Sequence, residues 1–285
     1  MSSCLNYPAG MLAGQTAIIT GSGQGIGAET ARLFANEGAK VVVCDLDAAK
    51  ADGVAQRINE ASVGRAISVP GDITDREYPS ILIAKAAEFG GGKIHILVNN
   101  AGYTWDSAIH EMTDKQLETM MTVHNAAPFR LIRESAPYFM VNDGESRSIV
   151  NVSSTSGVHG KVLQANYALA KSGLLGLTKS IAKEWGPEYG VRANTVAFGY
   201  IETRLSQLAD ETTFITTVDG EKILLGVQAK ALADLTKGTT RPYEDIPLGR
   251  PGTATEAASS ILAVVSPLFG YVSGQTIEVT GGRQI

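Results

Sequence analysis

The sequence predicts an α/β protein built on one doubly wound parallel sheet. Three observations carry that expectation. Short apolar, β-branched runs alternate with longer segments of helical periodicity along most of the 285 residues. The first run, Thr16–Thr20, ends in the glycine turn Gly21-Ser22-Gly23-Gln24-Gly25-Ile26-Gly27, and a helix pattern follows it. A later run, Ser148–Val152, ends in Ser153-Ser154 before another helical stretch. Open α/β sheets gather their sites at such strand ends.

The remaining elements follow in order. After residues 1–13, a short and loosely held leader, come Thr16–Thr20 as a strand and Ala28–Gly38 as a helix. Lys40–Cys44 is the next strand, 48–61 a helix, and Arg65–Val69, running on to Ile73, a third strand. Residues 76–90 read as a helix, Ile94–Val98 as a fourth strand and 114–140 as one long helix. Ser148–Val152 is the fifth strand, Lys161–Trp185 a helix and Val191–Val196 the sixth strand. Residues 200–247 are less regular, with helical pieces between 216 and 242, and a stretch of that length inside a domain reads as a substrate lid. Its apolar Ile223, Leu224, Leu225 and Val227 suggest a partly greasy one. A helix over 255–265 and a strand and turn over 275–282 complete a single domain, 14–285.

Composition excludes several functions. With 44% hydrophobic and 19% charged residues, the chain can build a large core. A net charge of −5 without a basic run argues against nucleic acid. No apolar run reaches the length of a membrane span. Cys4 and Cys44 give neither a disulfide framework nor metal-site spacing. The N-terminus has no signal-peptide pattern and Arg283-Gln284-Ile285 is no peroxisomal address, so the default compartment is the cytosol.

Three clusters carry chemistry. The turn Gly21–Gly27 between a strand and a helix suits a dinucleotide, because glycines admit close backbone approach to a pyrophosphate. Asp45, at the end of the second strand, suits the adenosine ribose hydroxyls and would repel a 2′-phosphate. Leu46 follows it and Gln24 is uncharged, so NAD(H) is favoured over NADP(H). Tyr167 and Lys171 share a helix face at i and i+4, where the ammonium would favour the phenolate. Ser154 lies at the preceding strand end.

Taken together, these residues resemble the short-chain dehydrogenase/reductase family over about residues 12–283. The matching pieces are Thr20-Gly21-x-x-x-Gly25-x-Gly27, Asp72, Asn99-Asn100-Ala101-Gly102, Asn125, Ser154, Tyr167-x-x-x-Lys171 and Gly281-Gly282. Gln164-Ala165-Asn166-Tyr167 and Ile246-Pro247-Leu248-Gly249-Arg250 look most like the 3-oxoacyl-thioester reductase branch. Many sugar, polyol and secondary-alcohol dehydrogenases share them.

The resemblance implies a Rossmann-like fold and an NAD(H)-dependent exchange of a secondary alcohol and a ketone. Tyr167 would be the general acid/base, Lys171 its partner, Ser154 the holder of the substrate oxygen and Asn125 the holder of a water. It also implies that NAD lies against Gly21, Gln24, Gly25, Ile26 and Gly27, against Asp45, Leu46, Asp72 and Ile73, and against Asn99, Ala101 and Gly102. Tyr167, Lys171, Gly199, Ile201 and Thr203 would complete that surface. A homotetramer, or else a homodimer, is implied as well. A 3-oxoacyl-thioester reductase is the alternative, and a non-catalytic dinucleotide sensor the rival of another class. Ser154, Tyr167 and Lys171 together weigh against the sensor.

Two departures stand out: Phe198-Gly199 where the family has Pro-Gly, and the enlarged 200–247 segment. No metal is expected, since Asp106, His110, Glu111 and Asp114 read as caps and solvated side chains. His159 and Trp105 in loops are expected to pack rather than to line a pocket. Met120, Met121 and Met140 read as core or subunit contacts.

Overall fold

In the computed structural model, residues 7–204, 214–216, 220, 222–224 and 243–284 are described. The strands are β1 (Thr16–Thr20), β2 (Lys40–Cys44), β3 (Ala66–Ser68), β4 (Ile96–Asn99), β5 (Ser148–Ser154), β6 (Arg192–Phe198), β7 (Phe214–Thr216), β8 (Lys222–Leu224) and β9 (Thr276–Val279). The helices are α1 (Gly25–Asn36), α2 (Ala48–Ala61), α3 (Tyr78–Phe89), α4 (Asp114–Met121), α5 (Ala127–Phe139), α6 (Thr155–His159), α7 (Ala165–Tyr189) and α8 (Ala254–Val265).

Seven strands form one sheet in the order β3-β2-β1-β4-β5-β6-β9, and every pairing is parallel. Helices cover both faces, which is why the strands read as unbroken apolar runs. Alternate residues serve opposite sides: Ile19, Val41, Val43 and Val98 pack against α1, α2 and α8. Ile18, Val42, Leu97 and Ile149 pack against α3, α5 and α7. The chain order reverses between β1 and β4, and there the carboxyl ends of the strands leave a crevice. The result is a single-domain Rossmann-like fold, as the alternation of elements predicts.

Where the structure departs from the expected elements, local chemistry explains it. The long helix over 114–140 is interrupted by a π-helical turn, Thr122–Ala126, closed by the Ala127 N–H on the Thr122 carbonyl. Pro128 lacks the N–H that would bond the fourth residue back, so the α ladder cannot pass through unchanged. The expected helix over 161–185 starts later and runs further. A short α6 ends at Gly160, Leu163 adopts a positive φ of 67°, and α7 then reaches Tyr189.

β6 extends two residues beyond the expected Val196 and ends at Phe198, which pairs with Ser154 and Val279. Phe198 keeps the backbone N–H that a proline would lack, and its ring is buried in the core under α8. The residues expected to form a loose leader are anchored from position 7 onward. Leu12 is fully buried, its N–H donates to the Glu37 carbonyl, and Met11 N–H donates to the Glu37 carboxylate at 2.9 Å.

Within 200–247 two short segments are extended where helical pieces are expected: β7 and β8 pair antiparallel. Ile223 is buried against Tyr103, Met120, Val123 and Ala170. Leu225, Val227 and the rest of the expected helical pieces lie outside the described residues, as does Cys4. No helix among the described residues is long and apolar enough to cross a membrane.

Candidate active site

The glycine turn forms a cradle that only glycine fits. Gly21 and Gly25 have φ of 63° and 58°. A Cβ on Gly21 would lie 2.7 Å from the Ala101 Cα, and one on Gly27 would strike the Gly21 carbonyl oxygen and approach Asn100 Nδ2 to 2.6 Å. Thr20 Oγ1 accepts the N–H groups of Asn100 and Ala101, each at 3.0 Å. Asn100 Nδ2 donates back to the Thr20 carbonyl at 2.9 Å. These bonds fix the ends of β1 and β4 to one another. No side chain caps the N-terminus of α1 and its first turn has no acidic residue, so its amide groups face the crevice.

The cradle opens into a cleft of about 640 Å³. Gly21, Gln24, Gly25, Ile26 and Gly27 form its floor, and Asp45, Leu46, Asp72, Ile73, Ala101, Gly102 and Thr203 form much of its wall. The Asp45 carboxylate accepts the Gly23 N–H at 2.9 Å and the Asp47 N–H at 3.0 Å. An exposed helix N-terminus, positive-φ glycines and a facing carboxylate fit the pyrophosphate and adenosine ribose of a dinucleotide.

Five of the expected contacts do not line this cleft: Tyr167 and Lys171 of α7, and Asn99, Gly199 and Ile201. Asn99 turns into the sheet and donates to Asn151 at 2.9 Å, so its neighbour Asn100 lines the cleft. Gly199 is held by its N–H on the Val279 carbonyl and faces Thr280. Ile201 is 7% exposed and belongs to the core. The cleft also takes in residues that no sequence motif marked: Lys115, Glu118, Thr119 and Thr122 of the α4 face, and Arg204. Arg204 meets Gln24 at 3.4 Å. The i, i+3, i+4, i+7 spacing of the α4 set could have signalled a shared face, though not its exposure to the cleft.

Tyr167 stands on the first turn of α7 because two neighbours latch that turn to the loop after β4. Gln164 Nε2 donates to both Asp106 oxygens, at 3.1 and 3.0 Å, and Asn166 Nδ2 donates to the Trp105 carbonyl at 3.0 Å. Further along, Asn151 Nδ2 donates to Thr178 Oγ1 at 2.8 Å and Ser153 Oγ to the Lys171 carbonyl at 2.9 Å, binding α7 to β5. Ser154 ends β5, caps α6 by accepting the Ser156 N–H at 3.1 Å, and lies near enough to the Tyr167 phenol to lower it.

Lys171 is 4% exposed, with Nζ 5.6 Å from the Tyr167 ring centroid and donating to the Val152 carbonyl at 2.7 Å. Burial pushes its ammonium down to about 7. The expected depression of the Tyr167 phenol is absent. Burial raises it to about 12, Ser154 opposes that rise and the Asp106 charge adds to it. Desolvation outweighs an ammonium turned toward a backbone carbonyl.

Asn125 lies in the π-helical turn, where Nδ2 donates to the Ala170 carbonyl at 2.8 Å and Oδ1 is buried without a protein partner. Gly173 makes room for it, since a Cβ there would come 2.7 Å from Nδ2. Beside it, His124 touches both Tyr167 and the loop after β4. Sequence reading missed this residue because nothing in Thr122-Val123-His124-Asn125 marks the ring as facing inward.

Of the loop residues, His159 pairs with Glu278 at 2.7 Å, and Trp105 packs at the edge of the cluster around Ile223. No group of three His, Cys, Asp or Glu side chains among the described residues could hold a metal.

The sequence profile of the family described as short chain dehydrogenase matches residues 15–213. The 3-oxoacyl-[acyl-carrier-protein] reductase FabG of Vibrio cholerae is 34% identical over 271 residues, covering 95% of this chain and 98% of its own. The reductase of the same name from Thermotoga maritima is 32% identical over 274 residues, covering 96% and 99%. A solved short-chain dehydrogenase/reductase from Brucella melitensis, titled a glucose/ribitol dehydrogenase, superposes with a TM-score of 0.77 at 26% identity over 96% of this chain and 98% of its own. The chain belongs to the short-chain dehydrogenase/reductase family. It is an oxidoreductase of that family, whose members bind a nicotinamide dinucleotide.

Proposed function

We propose that this protein interconverts a secondary alcohol and a ketone with NAD(H), using Tyr167 as the general acid/base. The observation that carries the proposal is the convergence of Tyr167, Ser154 and the buried Lys171 where Tyr167 packs in one cluster with Tyr103, a wall of the dinucleotide cleft. The dinucleotide would rest on Gly21, Gly25 and Gly27, with Asp45 at the adenosine ribose, and supplies or accepts the hydride when bound.

The chain's own groups do the rest. Ser154 holds the substrate oxygen and stabilises charge as it develops there. Tyr167 gives that oxygen its proton in reduction and removes it in oxidation. The raised phenol value means that Tyr167 holds its proton, ready for reduction. Lys171, near its midpoint at neutral pH, can take up or release a proton beside Tyr167 without a change of pH. The free Oδ1 of Asn125 is positioned to accept a hydrogen bond from a water beside Lys171. Ile223 and Ile215 against the Tyr167 cluster keep bulk water away from the proton transfer.

Asp45 supports NAD(H) over NADP(H), because its carboxylate stands on the cleft wall where a 2′-phosphate would come close. A 3-oxoacyl thioester is the second reading, favoured by the two reductases so named at 32 and 34% identity. Its reacting group is also a ketone, so the mechanism is unchanged. A panel of hydroxy-ketones, polyols and 3-oxoacyl thioesters assayed with NADH and NADPH tests both readings. Turnover with higher kcat/KM for NADH is expected. No turnover on any member would favour a dinucleotide sensor, and equal kcat/KM would remove the role given to Asp45.

A further inference from the structure

His124 is a fully enclosed side chain that the proposed reaction does not use. Its Nε2 lies 2.8 Å from the Tyr103 carbonyl oxygen, which can only accept, so Nε2 carries the proton. Burial and the nearby Lys171 hold the imidazole well below its ordinary value, leaving a neutral ring with a bare Nδ1. That Nδ1 is buried without a protein partner. The ring meets the Tyr167 ring edge-to-face, with centroids 5.1 Å apart and planes at 87°. Gly102 leaves the space it fills: a Cβ there would strike His124 Cε1 and lie 2.8 Å from Nδ1. Gly102 and Tyr103 are walls of the dinucleotide cleft.

We propose that His124 is a positioning residue with two separable tasks, holding the Gly102-Tyr103 wall of the cleft through Nε2–H and orienting Tyr167 through its ring. The inference rests on Tyr167 being the acid/base. The π-helical turn makes the arrangement possible by carrying His124 and Asn125 together toward α7.

Two near-isosteric variants separate the tasks. His124→Phe keeps an aromatic ring against Tyr167 and removes the donor to the Tyr103 carbonyl. We expect KM for the dinucleotide to rise about tenfold with kcat nearly unchanged. His124→Gln keeps a donor and removes the ring, so kcat should fall about fivefold with that KM nearly unchanged.

The pH profile of alcohol oxidation gives a third readout. Tyr167 is faced by Lys171 from its own helix, Ser154 from β5, Asp106 from the loop after β4 and His124 from the π-helical turn. Loss of the ring loosens the contact of Tyr167 with Ser154, the neighbour that lowers its phenol, so the rising limb should move to higher pH in His124→Gln and stay in place in His124→Phe.

Tyr167→Phe is the control. If it remains active, the acid/base reading itself falls. If it is inactive while both His124 variants change kcat and KM alike, or change neither, only the role of His124 is overturned. Nitrogen-15 spectra of the wild-type imidazoles serve even if a variant does not fold. A neutral Nε2–H tautomer between pH 6 and 8 supports the proposal, and a ring that is doubly protonated or carries its proton on Nδ1 overturns it.

Discussion

Lys171 is the residue whose chemistry and stability conflict most directly. Its ammonium is enclosed at 4% exposure and donates to the neutral Val152 carbonyl, and burial lowers its folded value from 10.5 to about 7. Between these values the unfolded chain binds a proton that the folded chain does not, and the Lys171 contribution to stability rises with pH across that window. Tyr167 acts in the opposite sense only above 10, where the folded phenol keeps a proton that the unfolded one loses. Cys44, which burial holds at about 12 against 9.0, also opposes Lys171 near the top of the range, so urea unfolding between pH 7 and 9.5 isolates Lys171 as a difference from Lys171→Met, where Cys44 is unchanged. We expect the stability of wild type relative to Lys171→Met to increase with pH over that range, and a flat difference would contradict it. The same comparison shows why the lysine was read differently from the sequence. The i, i+4 spacing placed it beside Tyr167, but direction and burial were set by β5, whose carbonyl captures the ammonium.

At the scale of elements, the legible features were those that repeat or punctuate. β-branched runs, the helix of residues 48–61 and the glycine turn fixed the strands and the dinucleotide cradle, because each has a local cause in pleat, periodicity or positive φ. The π-helical turn was not legible. It depends on Pro128 interrupting a ladder whose apolar pattern continues on either side, and it is what brings Asn125 and His124 to α7. Nor was the split of α6 from α7, since the positive φ of Leu163 is not a preference of leucine.

Phe198 is a third case. The sequence shows a departure from the family, whereas the structure shows β6 paired through that residue and its ring sealed under α8. Phe198→Pro would lose both the ladder N–H and the buried ring, so a destabilisation of about 3 kcal/mol or more is expected by urea unfolding. A cost below about 1 kcal/mol, the scale of an ordinary surface change, would show that neither feature matters.

Across the whole molecule, the sheet places the cradle at the ends of β1 and β4, and Ser154 and Tyr167, proposed here for proton transfer, at the end of β5 and the start of α7. One crevice can thus serve both halves of a redox reaction. Of the 200–247 segment, expected to cover the substrate, Ile215 and Ile223 pack in the Tyr167 cluster, and its composition specifies no shape, so the substrate was the least legible feature.

The proposed tetramer or dimer belongs to this scale too. Phe129 on α5 and Leu169 on α7 are 50% and 54% exposed, apolar surface that a second copy could cover. Light scattering should give a multiple of 30.0 kDa, and a mass of one chain would reject association. The most direct test of the central claim is steady-state turnover of a ketone by Tyr167→Phe, with circular dichroism confirming its fold. A loss in kcat of about a thousandfold is expected if the phenol transfers the proton. Retention of most of the turnover in a folded variant would contradict it.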